Sequence, residues 1–233
     1  MKKSNSALTS REKNKKLLQN VVLIAMFSAL AFGVSVAIHF PVSFLTLDFK
    51  DAIIAVGGMF CGPVAALLMS LIAALLEFLT ISDTGAYGLI MNFVSSAAFS
   101  VTAALIYKYR KNFSGAVIAL AASVFSMTSV MMIANLIVTP QFTGMPVAAV
   151  AEMIPTLLLP FNLIKSSLNA ALVALLYKPL SAGLSRIFPS AHPLTRGKFD
   201  KRSFFLVLAA VIVIVVALVL LFVFFDAKIA FGK

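Results

Sequence analysis

The residues best suited to chemistry stand in one short stretch, Asn162-Leu-Ile-Lys165-Ser166-Ser167-Leu-Asn169, inside an otherwise apolar segment. Leu157-Leu158-Leu159 precede it and Ala170-Ala171-Leu172-Val173 follow it. A charged side chain at mid-bilayer depth costs roughly 2.5–3.5 kcal/mol on insertion scales, so a lysine kept there marks a functional position. At roughly 100° per residue, Asn162, Lys165, Ser166 and Asn169 fall on one helix face. Such a face offers one cationic donor together with amide donors and acceptors, the equipment for gripping the polar edge of a ligand. The structural alternative is that Lys165 pairs with a carboxylate (Glu77, Asp48 or Asp51) while the asparagines bond neighbouring helices.

The elements that must position this face are membrane helices. The 233 residues are 61% hydrophobic and only 12% charged, against about half and about a quarter in a soluble domain. The apolar residues come in long runs, approximately 17–38, 52–79, 87–107, 114–138, 152–178 and 203–225, each able to cross a bilayer. Alternating segments of β-barrel type are missing. The net charge of +11 does not point to nucleic acid, because the basic residues cluster beside apolar runs, as membrane topology requires. The single cysteine, Cys61, excludes an intramolecular disulfide.

Charge asymmetry fixes the count. The tail before residue 17, the Lys108-Tyr-Arg110-Lys111 loop and the segment after 178 are basic, whereas 80–86 and 139–151 hold no Lys or Arg. All basic loops fall on the cytoplasmic side only if 52–79 is two passes that turn near Gly62-Pro63. We therefore expect helices over about 44–61 and 63–80. The first of these must recruit Phe44-Leu-Thr-Leu-Asp48-Phe-Lys50-Asp51 to span about 30 Å. Asp48 and Asp51 then serve either as helix-start charges or as ligand contacts. The expected architecture is an all-α membrane protein: a basic cytoplasmic tail (1–16), six helices (17–180), a basic linker (181–202), a seventh transmembrane helix (203–225) and a short tail (226–233).

In this topology Asn92 and Asn135 share a layer with Asn162 and Lys165, surrounded by Phe, Leu and Met. That combination suits a flat, mostly apolar molecule with a polar edge. Asn92 taken alone also fits a helix–helix hydrogen bond. Nothing supports catalysis. There is no phosphate loop, no H-E-x-x-H and no G-x-S-x-G, and His39 and His192 stand singly in loops, so no metal site is expected.

Four segments together resemble the substrate-binding S components of energy-coupling factor (ECF) vitamin transporters, of the riboflavin-specific type. They are the Ala25-x-x-x-Ala29-x-x-x-Gly33 stripe, the Phe40–Asp51 loop, the Gly58-Met-Phe-Cys-Gly62-Pro63 turn and Pro160-Phe-Asn162-Leu-Ile-Lys165. The resemblance covers about residues 17–180. It implies a six-helix fold with an outward pocket capped by the first loop, docked on a membrane coupling subunit driven by two ATPase subunits. It implies riboflavin as transported substrate, with no separate cofactor. Asn135, Asn162 and Lys165 would bond the flavin edge, and Leu45, Thr46 and Leu47 would cover the ligand beside Asp48 and Asn92. Ala25, Ala29 and Gly33 would face the coupling subunit. The seventh helix departs from the family pattern. Lys50 is the one obvious cation of the outer loop, which favours riboflavin over its phosphates. An S component for folate or pantothenate, or a membrane scaffold without transport, are the other readings.

Overall fold

The computed structural model describes residues 2–187, 201–225 and 230–231. Parts of the 181–202 linker and of the 226–233 tail lie outside the described residues. The chain runs α1 (Lys2–Ala37), β1 (Ile38–Val42), β2 (Leu45–Asp48), α2 (Lys50–Cys61), α3 (Pro63–Thr80), α4 (Gly85–Tyr109), α5 (Phe113–Thr143), α6 (Val147–Met153), a π-helical turn (Ile154–Leu158), α7 (Leu159–Ile187), α8 (Lys201–Phe225) and β3 (Ala230–Phe231).

The break at Gly62-Pro63 is as expected. Gly62 has φ +98°, a conformation open to glycine and costly for other residues. Pro63 opens α3, where its missing N–H leaves nothing unsatisfied. Asn112 caps α5 by accepting from the Gly115 N–H at 2.7 Å. Gly144, at φ +73°, closes the same helix. Pro155, in the first positions of the π-helical turn, and Pro160, just after it, lack backbone donors where the hydrogen-bond ladder widens. The first helix continues back through the basic tail, from Lys2.

One expectation is corrected here. The segment before Lys50 is a β-hairpin, not the start of a helix. Strands β1 and β2 pair antiparallel, with Phe40 opposite Leu47 and Val42 opposite Leu45. The turn between them places Ser43 at φ +55°. Helix α2 is therefore only 12 residues long, about 18 Å at 1.5 Å per residue. It spans little more than half of a bilayer core, and the hairpin fills the remaining depth beside it.

Helix α2 is the centre of the bundle. Every residue from Lys50 to Phe60 is buried, and α1, α3, α4 and α7 all pack on it. Gly58 lets α3 and α4 approach: a Cβ there would stand 2.6 Å from the Ala66 Cβ and 3.2 Å from the Ala104 Cβ. The outer helices turn apolar side chains such as Val64, Leu79, Phe125, Ile133 and Ile137 outward, as a bilayer requires. Among the described residues, five helices are long and apolar enough to cross a membrane: Glu12–Ala37, Pro63–Thr80, Gly85–Tyr109, Ser114–Thr143 and Val147–Tyr177. A second, smaller apolar cluster lies behind the hairpin, where Phe40, Val42 and Leu47 meet Phe161, Ile164, Leu168 and Ala217.

Candidate functional site

The N-terminus of α2 is buried, so its orphan N–H groups need partners other than water. They get them from side chains at the polar end of the bundle. The Lys50 N–H donates to Asp48 Oδ1 at 3.2 Å, and the Ala52 N–H donates to Asn169 Oδ1 at 2.8 Å. The Asn169 amide nitrogen also donates to the Asp48 carbonyl at 3.0 Å. Asn169 thus ties α7 to the hairpin and to α2. It is structural, and so is Ser166, whose hydroxyl meets Thr128 of α5 at 3.3 Å.

An alternating chain of charges is built on this frame. Lys165 Nζ lies 3.0 Å from Asp48 Oδ2. The same oxygen is 3.2 Å from Lys50 Nζ, and Lys50 Nζ is 2.7 Å from Glu77 Oε2. Asn92 of α4 closes the chain by donating to Glu77 Oε2 at 2.9 Å. All four charged groups are buried. Asp48 stands on the hairpin, and its Oδ2 is held by both the Lys165 and the Lys50 ammonium groups. The carboxylate partner of Lys165 is therefore Asp48, and Glu77 is engaged by Lys50. Asp51 stands apart, accepting from the Ser96 hydroxyl.

Beside this chain lies a cavity of about 110 Å³. Its polar wall carries Thr46, Asn92, Asn135, Asn162 and Lys165, and its apolar wall includes Tyr87, Met91, Met131, Phe142 and Phe161. The Tyr87 and Phe142 rings sit 5.9 Å apart at 56°, flat surfaces on which a planar ligand can lie. A second cavity of about 310 Å³ adjoins it, bordered by His39, Asp48, Lys50, Glu77 and Asp83. Phe44, Leu45, Thr46, Thr84 and Asn92 wall both.

The polar groups of the first cavity have capacity to spare. Asn162 donates one bond to the Leu158 carbonyl at 2.8 Å, and Asn135 donates one to the Met131 carbonyl at 2.7 Å while accepting from Thr139. Each amide can make up to four bonds. Lys165 spends two of its three protons, on Asp48 and on the Thr46 carbonyl at 3.1 Å. Ser95 Oγ, on the same wall, has no hydrogen-bond partner among the described residues.

The structure brings Leu45, Thr46, Asn92, Asn135, Asn162 and Lys165 to one cavity and Asp48 to the adjoining one. Leu47 is placed elsewhere: it is fully buried in the apolar cluster behind the hairpin. Strand geometry puts Leu47 on the face opposite Thr46 and Asp48; Leu45, on the same face as Leu47 but at the hairpin tip, packs partly against that cluster and also reaches the cavity. Sequence reasoning named Asn169 on the polar face of α7 and Lys50 as an outer-loop cation but not the partners that the structure gives them, and it missed the aromatic wall of Tyr87 and Phe142. Ala25, Ala29 and Gly33 form an exposed stripe on α1, and nothing lies within 4 Å of a Cβ added at Gly33.

Comparison with known proteins bears on the whole bundle. A family described as ECF transporter, substrate-specific component, matches residues 19–181. The chain belongs to that family. As an S component it is a multi-pass membrane protein. It is 33% identical over 187 residues to the riboflavin transporter RibU of Staphylococcus aureus (strain TCH60), across 76% of this chain and 98% of that protein. It also matches a solved S component of a bacterial ECF transporter, with TM-score 0.61 and 33% identity, covering 75% of this chain and 99% of the other. The family match ends at residue 181, before α8.

Proposed function

We propose that this S component binds riboflavin from outside the cell and delivers it inward when docked on an ECF module. The observation that carries the reading is the cavity itself, which is lined by aromatic and apolar side chains such as Tyr87, Met91 and Phe142 together with the polar groups of Asn92, Asn135, Asn162 and Lys165. The isoalloxazine ring is planar, with its acceptors and its imide N–H along one edge, which matches those polar groups. The charge chain supports a neutral ligand. Lys165 is already balanced by Asp48, and Lys50 by Asp48 and Glu77, so no cation is left over in the chain for a carboxylate or phosphate. This argues against folate, pantothenate and flavin phosphates. The likeness to a riboflavin transporter agrees with it.

Size adds a condition. A cavity of about 150 Å³ accommodates benzene, so the 110 Å³ cavity cannot close around a three-ring system as it stands. Moving the Phe44–Thr46 turn merges it with its 310 Å³ neighbour, giving room for the ring in one part and the ribityl hydroxyls in the other. Binding therefore displaces the tip of the hairpin.

The basic loops put the N-terminus in the cytoplasm. The exposed Ala25–Ala29–Gly33 stripe then presents a flat surface for close approach by the coupling subunit, which two ATPase subunits would drive. Purified protein should quench riboflavin fluorescence on titration, and a titration without quenching would remove the reading. The Ala29→Trp variant should keep that quenching and lose riboflavin uptake in cells that supply the module. Uptake at the wild-type rate would move the docking surface elsewhere.

A further inference from the structure

Helix α8 lies beyond the family match, yet it is packed into the molecule. Ala210 and Ala217 are each only 5% exposed. Ala210 joins the main core, Ala217 joins the cluster behind the hairpin, and Ile214 packs against both. These positions, with Leu218, fall on one helix face, and the small residues let α8 lie close against α7. The opposite face, with Val215 at 55% and Val219 at 53% exposure, points outward. After α8, strand β3 returns to the hairpin: Ala230 pairs with His39 and Phe231 with Ile38, so that β1 is held between β2 and β3.

We infer that α8 and β3 form a clamp on the cap of the ligand site, setting how fast ligand enters and leaves. The argument runs through strand β2. Its Leu47 side chain faces the cluster that contains Ala217. On the alternate positions, the Thr46 carbonyl and the Asp48 carboxylate hold Lys165. Pressure on Leu47 from behind therefore keeps Thr46 and Asp48 against the site. The turn that must move to merge the two cavities joins β1 to β2, and it can move only if this hairpin gives. A cap fastened at its far edge by β3 and at its back by α8 opens more slowly than the same hairpin alone. The inference rests on the reading of the cavity as the ligand site.

The test uses the full chain with three substitutions. Ala217→Phe inserts a ring between α8 and the hairpin cluster. Leu218→Ala removes packing at the same contact from a side chain that is only partly buried. Val215→Phe, on the outward face, is the control. Stopped-flow riboflavin fluorescence should show release faster by about three- to tenfold in Ala217→Phe and Leu218→Ala, with association also faster. Amide exchange of residues 38–48, measured without ligand, should rise in the same two variants. Val215→Phe should match wild type in both. Release and hairpin exchange unchanged in Leu218→Ala, or raised equally by Val215→Phe, would overturn the clamp. Failure of wild type to bind riboflavin would instead overturn the preceding reading. Faster exchange in Ala217→Phe and Leu218→Ala would still show that α8 holds the hairpin.

Discussion

Helices α2 and α7 each have two unlike ends, and the contrast separates what binds from what holds. At one end stand Lys50 and Asp51 of α2 with Asn162, Lys165 and Asn169 of α7, all buried. At the other stand Gly57-Gly58-Met59-Phe60 of α2 with Val173, Ala174 and Tyr177 of α7, an apolar core. Helix packing alone needs only the second kind, because small residues and good fit suffice between membrane helices. The polar end spends much of its hydrogen bonding on keeping charges and a helix start satisfied, which is a cost without a ligand to recognise. On the proposed reading the same two helices carry the ligand site at one end and a fastening at the other, and substitutions at the two ends should fail in different ways.

The largest effect is expected at Lys165. Its removal takes away a donor at the cavity wall and one of the two ammonium groups on Asp48 Oδ2. Breaking a buried pair from one side costs about 3–5 kcal/mol. Lys165→Ala should therefore weaken riboflavin binding by more than about 100-fold and lower thermal stability as well. Pairing Lys165→Met with Asp48→Asn should recover part of the stability and none of the affinity. An affinity within about threefold of wild type in Lys165→Ala would erase the contrast between the two ends.

Next in size is Gly58, at the fastening end. Valine there would drive its Cβ into Ala66 and Ala104, and overpacking of this kind costs about 1–3 kcal/mol. Gly58→Val should lower the melting temperature of the purified protein while the folded fraction keeps its riboflavin Kd. A Kd that rises along with the loss of stability would mean that the two ends are coupled through α2.

How much of this contrast was legible before the structure depends on range. The break at Gly62-Pro63 was legible because a glycine–proline turn and the placement of basic loops are local signals. The polar face of α7 was legible because four polar residues recur at helical spacing in an apolar run. The hairpin was missed although Leu45-Thr46-Leu47-Asp48 alternates with period two. The demand that α2 span a bilayer by itself outweighed that pattern, and the structure meets the demand with a short helix and a hairpin together. The charge chain was out of reach because its partners lie 27 and 117 residues apart. Spacing along the chain cannot choose among Asp48, Asp51 and Glu77 as the partner of Lys165. Asn169 shows the same limit from the other side: it shares the helical face of Asn162, yet its amide is consumed by the start of α2.

That difference between two asparagines on one face supplies the third test. Asn162 lines the cavity and spends one bond on its own helix. Asn162→Ala should weaken riboflavin about tenfold, as loss of roughly one hydrogen bond does, with little change in melting temperature. Asn169→Ala should do the reverse, lowering stability first, because it strips the Ala52 N–H of its partner in a buried helix start. If both variants behaved alike, the division of this face into ligand contacts and helix caps would be wrong.

The smallest expected effect probes the fastening end with a polar pair of its own. Tyr107 of α4 and Tyr177 of α7 place their hydroxyls 2.9 Å apart, with rings packed edge to face at 5.9 Å. The pair shows that a buried polar contact is not by itself a mark of the ligand site. It lies among apolar residues of the main core, and neither tyrosine lines the cavity. Hydrogen bonds between membrane helices average about 0.6 kcal/mol by double-mutant cycles. The Tyr107→Phe and Tyr177→Phe cycle should return a coupling of that order in unfolding free energy and no change in riboflavin Kd. A coupling several times larger, or a shift in Kd, would place this pair in the path by which ligand occupancy reaches the far end of α7. The polar and apolar ends would then be two parts of one device.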